Sequence, residues 1–304
     1  MSTRLSKTDL MFVYMILLIV AFFIGGFFLG ASVGKQKASE EFEKYLTLDT
    51  EEMDTNESRS QYSHTEFAIY YYNVYVPFHE FRKNYLDFYN RMHRPEGKSD
   101  SAALIKHIQA QSKKTKKELE NALTPTASPL LQKSYTEYMS ALSSIEAGIK
   151  SLAQSQTDDP DQISQFFKTN EQLKKGQNHW LRGQIYFYEG ISRWESIYIT
   201  RESPKVFEQT SSFSLTQWSA LRFHQKNELV AKILGEKQIL SFFNPEDVTM
   251  YLDSLTATGE TSIQKVSEAI EVLIASGSVR QGEYLQQNHR YQDQPSPMIP
   301  LFPN

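Results

Sequence analysis

Cysteine is absent from all 304 residues. Disulfides, thiolate metal sites, a cysteine nucleophile and a cysteine-borne lipid anchor are thereby excluded. Excess charge is scarce too: the formal net charge is −4 and charged residues make up 22 %. That balance offers no basic face for nucleic acid. Catalytic and phosphate-binding signatures are missing as well. No GxSxG, SxxK, P-loop or Rossmann glycine pattern occurs.

Three partial motifs fail on inspection. His79-Glu80 opens like a zinc-protease motif, but Lys83 stands where the second histidine belongs. Asp158, Asp159 and Asp161 open like a calcium loop, but Thr169 stands where the bidentate glutamate is required. Helix capping accounts for these aspartates. The histidines are scattered, at 64, 79, 93, 107, 179, 224 and 289. The reading is therefore no catalytic residue, no metal site and no cofactor, and a protein that is not an enzyme.

What is present begins with one long apolar run. Leu10 to Ala31 carries 22 residues without a charge. At ~1.5 Å per residue it spans roughly 33 Å, against a hydrocarbon core of about 30 Å. The run is too long for a cleaved signal peptide, and "GASVGKQ" is a poor cleavage site. Residues 10–34 read as an uncleaved transmembrane signal anchor, and residues 1–9 as a short cytoplasmic tail. Lysine and arginine are nearly balanced across the run. The short N-terminal tail favours placing the body outside the cytoplasm. A body facing the cytoplasm is the alternative.

Gly26, Gly30 and Gly34 fall at i, i+4 and i+8, on one helix face. Small residues permit the close backbone approach on which helix association in lipid depends. They predict self-association. The bland alternative is that glycine is simply common in membrane helices.

Residues 35–61 read as a polar spacer, acidic from Glu40 to Glu57. Long helical stripes follow. Phe67, Tyr71, Val74, Phe78, Phe81, Tyr85, Phe88 and Met92 keep 4-3 spacing through Pro77. This predicts a helix kinked at the proline; a strand over 67–76 is the weaker reading. A second helix runs from Ser99 or Ser101 to about Leu123. A third carries the stripe Leu131, Tyr135, Tyr138, Leu142, Ile145, Ile149 and Leu152. The fourth starts at Pro160 and runs to about Thr200. Together they predict an up-down-up-down four-helix bundle over 62–200. A smaller helical unit follows over 213–277, with helices at about 215–234, 245–255 and 260–275. Residues 286–304 read as a disordered tail, or as a short docking peptide at "PSPMIPLFP". The predicted class is all-α.

Two patterns on the bundle are candidate sites. Asn170, Gln177 and Gln184 recur every seven residues on the fourth helix, among Trp180, Trp194 and other apolar residues. Buried amides must be hydrogen-bonded. They would set helix register or line a small polar pocket with Trp180 and Trp194. Alternatively the true seam runs through Phe167, Leu181, Ile185 and Tyr188 and leaves the amides outside. On the first helix, Tyr70, Tyr72, Tyr75 and Tyr89 lie beside the stripe. They widen the core or form an interaction surface.

These features predict a membrane-anchored scaffold or binding component of the cell envelope. Its expected partners are the lipid bilayer, itself and another envelope protein. A sensor-like bundle with a small-molecule ligand between its helices is the alternative. A cytoplasm-facing scaffold is a further one.

Overall fold

A computed structural model describes residues 61–92 and 101–301, apart from positions 156, 158, 208, 259–262 and 292. The apolar run 10–34, its Gly26, Gly30 and Gly34, and all of the acidic spacer but Gln61 lie outside the described residues. Among the described residues no helix is long and apolar enough to cross a membrane. No strand occurs among them, only an isolated bridge between Ser214 and Lys265.

The bundle opens with α1, His64–Tyr70, which continues through a π-helical segment, Tyr71–Tyr75, into α2, Val76–Met92. Pro77 explains the π segment. It has no N–H to close an α-helical bond and its ring crowds the preceding turn. The N–H of Val76 reaches back to the carbonyl of Tyr71 instead, five residues away. The chain thus passes the proline as a helix, with its apolar stripe intact.

The next helices are α3, Ser101–Glu120, and α4, Pro129–Ser155. The start of α4 has a cap the sequence pattern does not reveal. Glu66, on α1, accepts from the N–H groups of Thr126, Ala127 and Ser128 at 3.3, 3.1 and 3.0 Å. A carboxylate there satisfies orphan donors and complements the helix dipole. Glu66→Ala is expected to lower unfolding free energy by about 2–3 kcal/mol in urea titrations. A loss below about 0.5 kcal/mol would show that water replaces this cap.

The expected fourth helix is two helices. α5 spans Pro160–Thr169 and α6 spans Glu171–Glu195, followed by a π-helical segment, Ser196–Thr200. Asn170 divides them. Its backbone is extended, at φ −66° and ψ 117°, and its Oδ1 accepts from the N–H of Leu173 at 3.0 Å. Asparagine is among the strongest N-cap residues, and here local capping overrides the heptad.

α6 packs along α4 through glycine. Gly176, Gly183 and Gly190 recur every seven residues and face that helix. A Cβ at Gly176 would stand 2.6 Å from Ile145 Cγ1, and one at Gly183 would stand 2.5 Å from the ring of Tyr138. The glycines let Ile145 and Tyr138 sit against the α6 backbone. The surrounding core is aromatic. Phe78 and Tyr138 stack at 3.8 Å, and Trp180 meets Phe78 edge-on at 5.7 Å.

The C-terminal helices are α7, Leu215–Ser219; α8, Phe223–Glu236; α9, Pro245–Thr258; α10, Val266–Ala275; and α11, Glu283–Gln287. A single helix over 215–234 is expected from the pattern, but the chain turns at 220–222 and a new helix starts after Arg222, whose N–H donates to Gln225 Oε1 at 3.2 Å. The helix expected from 260 begins at Val266. Its N–H bonds to Phe213 O, while Leu215 N–H bonds to Gln264 O, so the chain is extended there. These helices hold their own core, including Trp218, Leu229, Ile233, Val248 and Ile270. The tail differs from its expectation. Residues 286–301 fold back, and Ile299 and Leu301 are buried in the main core with Tyr284 and Phe223. Its prolines limit the entropy lost in that docking.

Candidate functional site

Three of the five residues proposed to form one polar pocket lie in separate settings. Asn170 is spent on its cap. Gln177 donates to the hydroxyl of Tyr85 at 3.4 Å. Trp194 is buried beside His64, with ring centres 5.7 Å apart, and near Tyr198. Fourteen residues of helix separate it from Trp180, roughly 21 Å. Only Gln184 and Trp180 share a cavity. Both seams considered from the sequence contribute buried residues, because α6 is covered on two sides. Phe187 and Ile191 enter the main core, and Leu181 and Tyr188 are buried as well.

The tyrosines likewise form no single surface. Tyr70 and Tyr75 are core residues; Tyr72 and Tyr89 are half-buried. Tyr70 shares a 2.5 Å hydrogen bond with Ser134, and the Ser134 hydroxyl donates to Gly183 O at 2.6 Å. This links three helices.

The cavity of Trp180 and Gln184 is the chemical centre of the described residues. It is also lined by Tyr75, His79, Arg82, Tyr188 and Asn244. Its volume is about 10 Å³, room for about one water molecule. The cavity therefore gives a larger ligand no seat. Two groups on its wall, the Tyr75 hydroxyl and His79 Nδ1, are buried without a partner among the described residues. Burial, reinforced by Arg82 and Lys83, lowers the His79 imidazole to about 4, so it is neutral at pH 7.

Arg82 closes one side. It is 6 % exposed. Its Nε and Nη2 donate to Ser241 O at 3.2 and 2.7 Å, and Nη2 also donates to Phe243 O at 2.5 Å. Its Nη1 donates to Asn244 Oδ1 at 2.6 Å. The guanidinium of a bundle helix thus holds the loop before α9.

Glu246 and Asp247 follow at once on α9, and both are buried. They are not equivalent. Asp247 accepts three backbone N–H groups, from Asn244 at 2.9 Å, Gly282 at 3.2 Å and Tyr284 at 3.0 Å. It serves the N-terminus of α9 as the third residue of a capping box does. Burial still raises its carboxyl above the ordinary value. Among the described side chains Glu246 accepts only from the Tyr188 hydroxyl, at 2.5 Å. Burial, and then the neighbouring Asp247, push it up to about 8. Burial also holds Tyr75 and Tyr188 well above the ordinary phenol range.

Sequence reasoning missed Arg82, Tyr188, Glu246 and Asp247. Their signals were slight. Arg82 and Glu246 interrupt otherwise ordinary helix patterns, and "NPED" reads fully as a helix start. Among the described residues no group of histidines and carboxylates is placed to hold a metal ion. Comparison with known proteins finds no matching family model, no similar curated protein and no similar solved structure.

Proposed function

We propose that this chain is a single-pass membrane protein whose helical body works by binding, as a scaffold component of the cell envelope. The N-terminal tail lies in the cytoplasm and the body outside it. The body is a long-helix bundle of four spans carrying a smaller helical unit, and copies associate through Gly26, Gly30 and Gly34. Its partners are the bilayer, itself and another envelope protein. The charge-free run of Leu10 to Ala31 supports the anchor.

One observation supports binding over catalysis or sensing at the buried junction. The strongest cluster of buried ionisable groups is turned inward, where it joins bundle to C-terminal helices around a space for one water. A substrate or signal molecule needs an open seat beside such groups.

A membrane-impermeant lysine crosslinker applied to intact cells tests this reading. Labelled body lysines with self-crosslinks are expected, and Gly30→Ile is expected to reduce the self-crosslinks at least several-fold. An unlabelled body would reverse the orientation and make a cytoplasmic scaffold the better reading. Unchanged self-crosslinking in Gly30→Ile would remove the glycine face.

A further inference from the structure

The junction around Glu246 has an unusual charge arrangement. Glu246 is 2 % exposed and has no ion-pair partner among the described residues. Among the described residues the cation facing it is Arg82, from α2, whose donors are spent on Ser241 O, Phe243 O and Asn244 Oδ1. Its own helix offers Asp247, a second carboxylate and already the better solvated by N–H groups. From the first helical stretch come Tyr71 and Tyr75, from α6 Tyr188, and from α11 Tyr284. Burial raises all four phenols, so none carries charge where a carboxyl titrates. His79, beyond Arg82, is neutral. A carboxylate at this place would be a second buried negative charge with no counter-ion in contact, whereas a neutral acid accepts the Tyr188 bond without that cost.

We propose that Glu246 is a one-proton latch: protonated, it holds α9 and α11 against the bundle, and its ionisation releases them. The release follows from what α9 carries. Its first turn holds the loop gripped by Arg82, the bond to Tyr188 and the Asp247 contacts to Gly282 and Tyr284. Moving that turn toward water hydrates the new charge and breaks these contacts together. Tyr71, Tyr75 and Tyr188, on the bundle, stay behind as the polar lining.

The sign of the pH dependence follows from linkage. The folded carboxyl sits at about 8, above its ordinary 4.5. Between those values the closed state holds a proton that the open state gives up. The latch is therefore fully engaged below pH ~4.5, weakens as pH rises toward 8, and changes no further above it. From pH 7 to pH 9 the opening constant should rise about tenfold.

Hydrogen exchange with mass spectrometry on the full chain in detergent tests this. Protection of 241–258 and 282–291, corrected for intrinsic exchange, is expected to fall about tenfold from pH 7 to pH 9, while α4 stays protected. Glu246→Gln is expected to abolish that fall. If Glu246→Gln fails to fold, Tyr188→Phe serves: the Tyr188 bond favours the ionised carboxyl, so its removal should move the transition to higher pH. The infrared carbonyl band of a protonated carboxyl should disappear over the same range. Protection independent of pH, an equal fall in Glu246→Gln, or an unmoved transition in Tyr188→Phe would each overturn the latch.

Discussion

Replacing Arg82 by alanine is expected to lower unfolding free energy by about 3–5 kcal/mol and to uncouple the C-terminal helices from the bundle. The side chain donates to Ser241 O, Phe243 O and Asn244 Oδ1, and only Phe243 O has a further donor among the described residues, the Ser241 hydroxyl. Each buried acceptor left unpaired costs about 1–3 kcal/mol. The guanidinium also lies 5.9 Å from the centre of the Trp180 ring, so truncation removes packing as well. Arg82→Lys should recover only part of the loss, because one ammonium cannot span three acceptors arranged around a planar fork. Urea unfolding followed by tryptophan emission checks this. Trp218 reports the C-terminal core and Trp180 the bundle, so a single transition in wild type should become two in Arg82→Ala. A loss under about 1 kcal/mol with one transition would mean that water takes over the role of Arg82.

Gly183→Ala should cost about 2–3 kcal/mol, against the usual gain from placing alanine in a helix. The added methyl would lie 2.5 Å from Cδ1 and Cε1 of Tyr138. The ring has little room to withdraw, because it stacks on Phe78 with centroids 3.8 Å apart. Helices α4 and α6 must separate, which strains the Ser134 bond to Gly183 O. Gly190→Ala is the internal control. Its nearest neighbour is Leu131 Cδ2 at 3.3 Å, the end of a flexible side chain. There the helix propensity gain should roughly cancel the crowding, leaving stability within about 1 kcal/mol of wild type. Thermal unfolding of the two variants distinguishes them. Equal effects would show that the α4–α6 contact is softer than its geometry implies.

These two variants probe different bonds within the same body. The glycine line sets how closely α6 approaches α4. Arg82 and the Tyr188–Glu246 bond set how the C-terminal helices sit on that platform. The binding role proposed for the body needs both, since a scaffold presents its surface only as rigidly as its elements are fixed.

The helices themselves were legible in the sequence. The 4-3 stripe through Phe67, Phe78 and Met92 survived Pro77 because a π segment absorbs the proline without rotating the stripe out of the core. The third helix and the helix start at 245 are read from local signals, and they form where those signals lie. All-α character follows from the same periodicity, since a 3.6-residue apolar repeat buries one face only as a helix. Asn170 was misread because capping and heptad placement compete for one side chain, and the cap bond is made within four residues.

The tertiary structure decided what no local pattern encodes. Gly176, Gly183 and Gly190 stand one position before the residues Gln177, Gln184 and Ile191. In a helix one position is about 100° of rotation, so only the partner α4 determines which row makes contact. Glu66, Arg82 and Glu246 act on groups between about 58 and 162 residues away along the chain. A buried charge is tolerated only where distant segments supply its partners, and those partners meet only once the chain has folded.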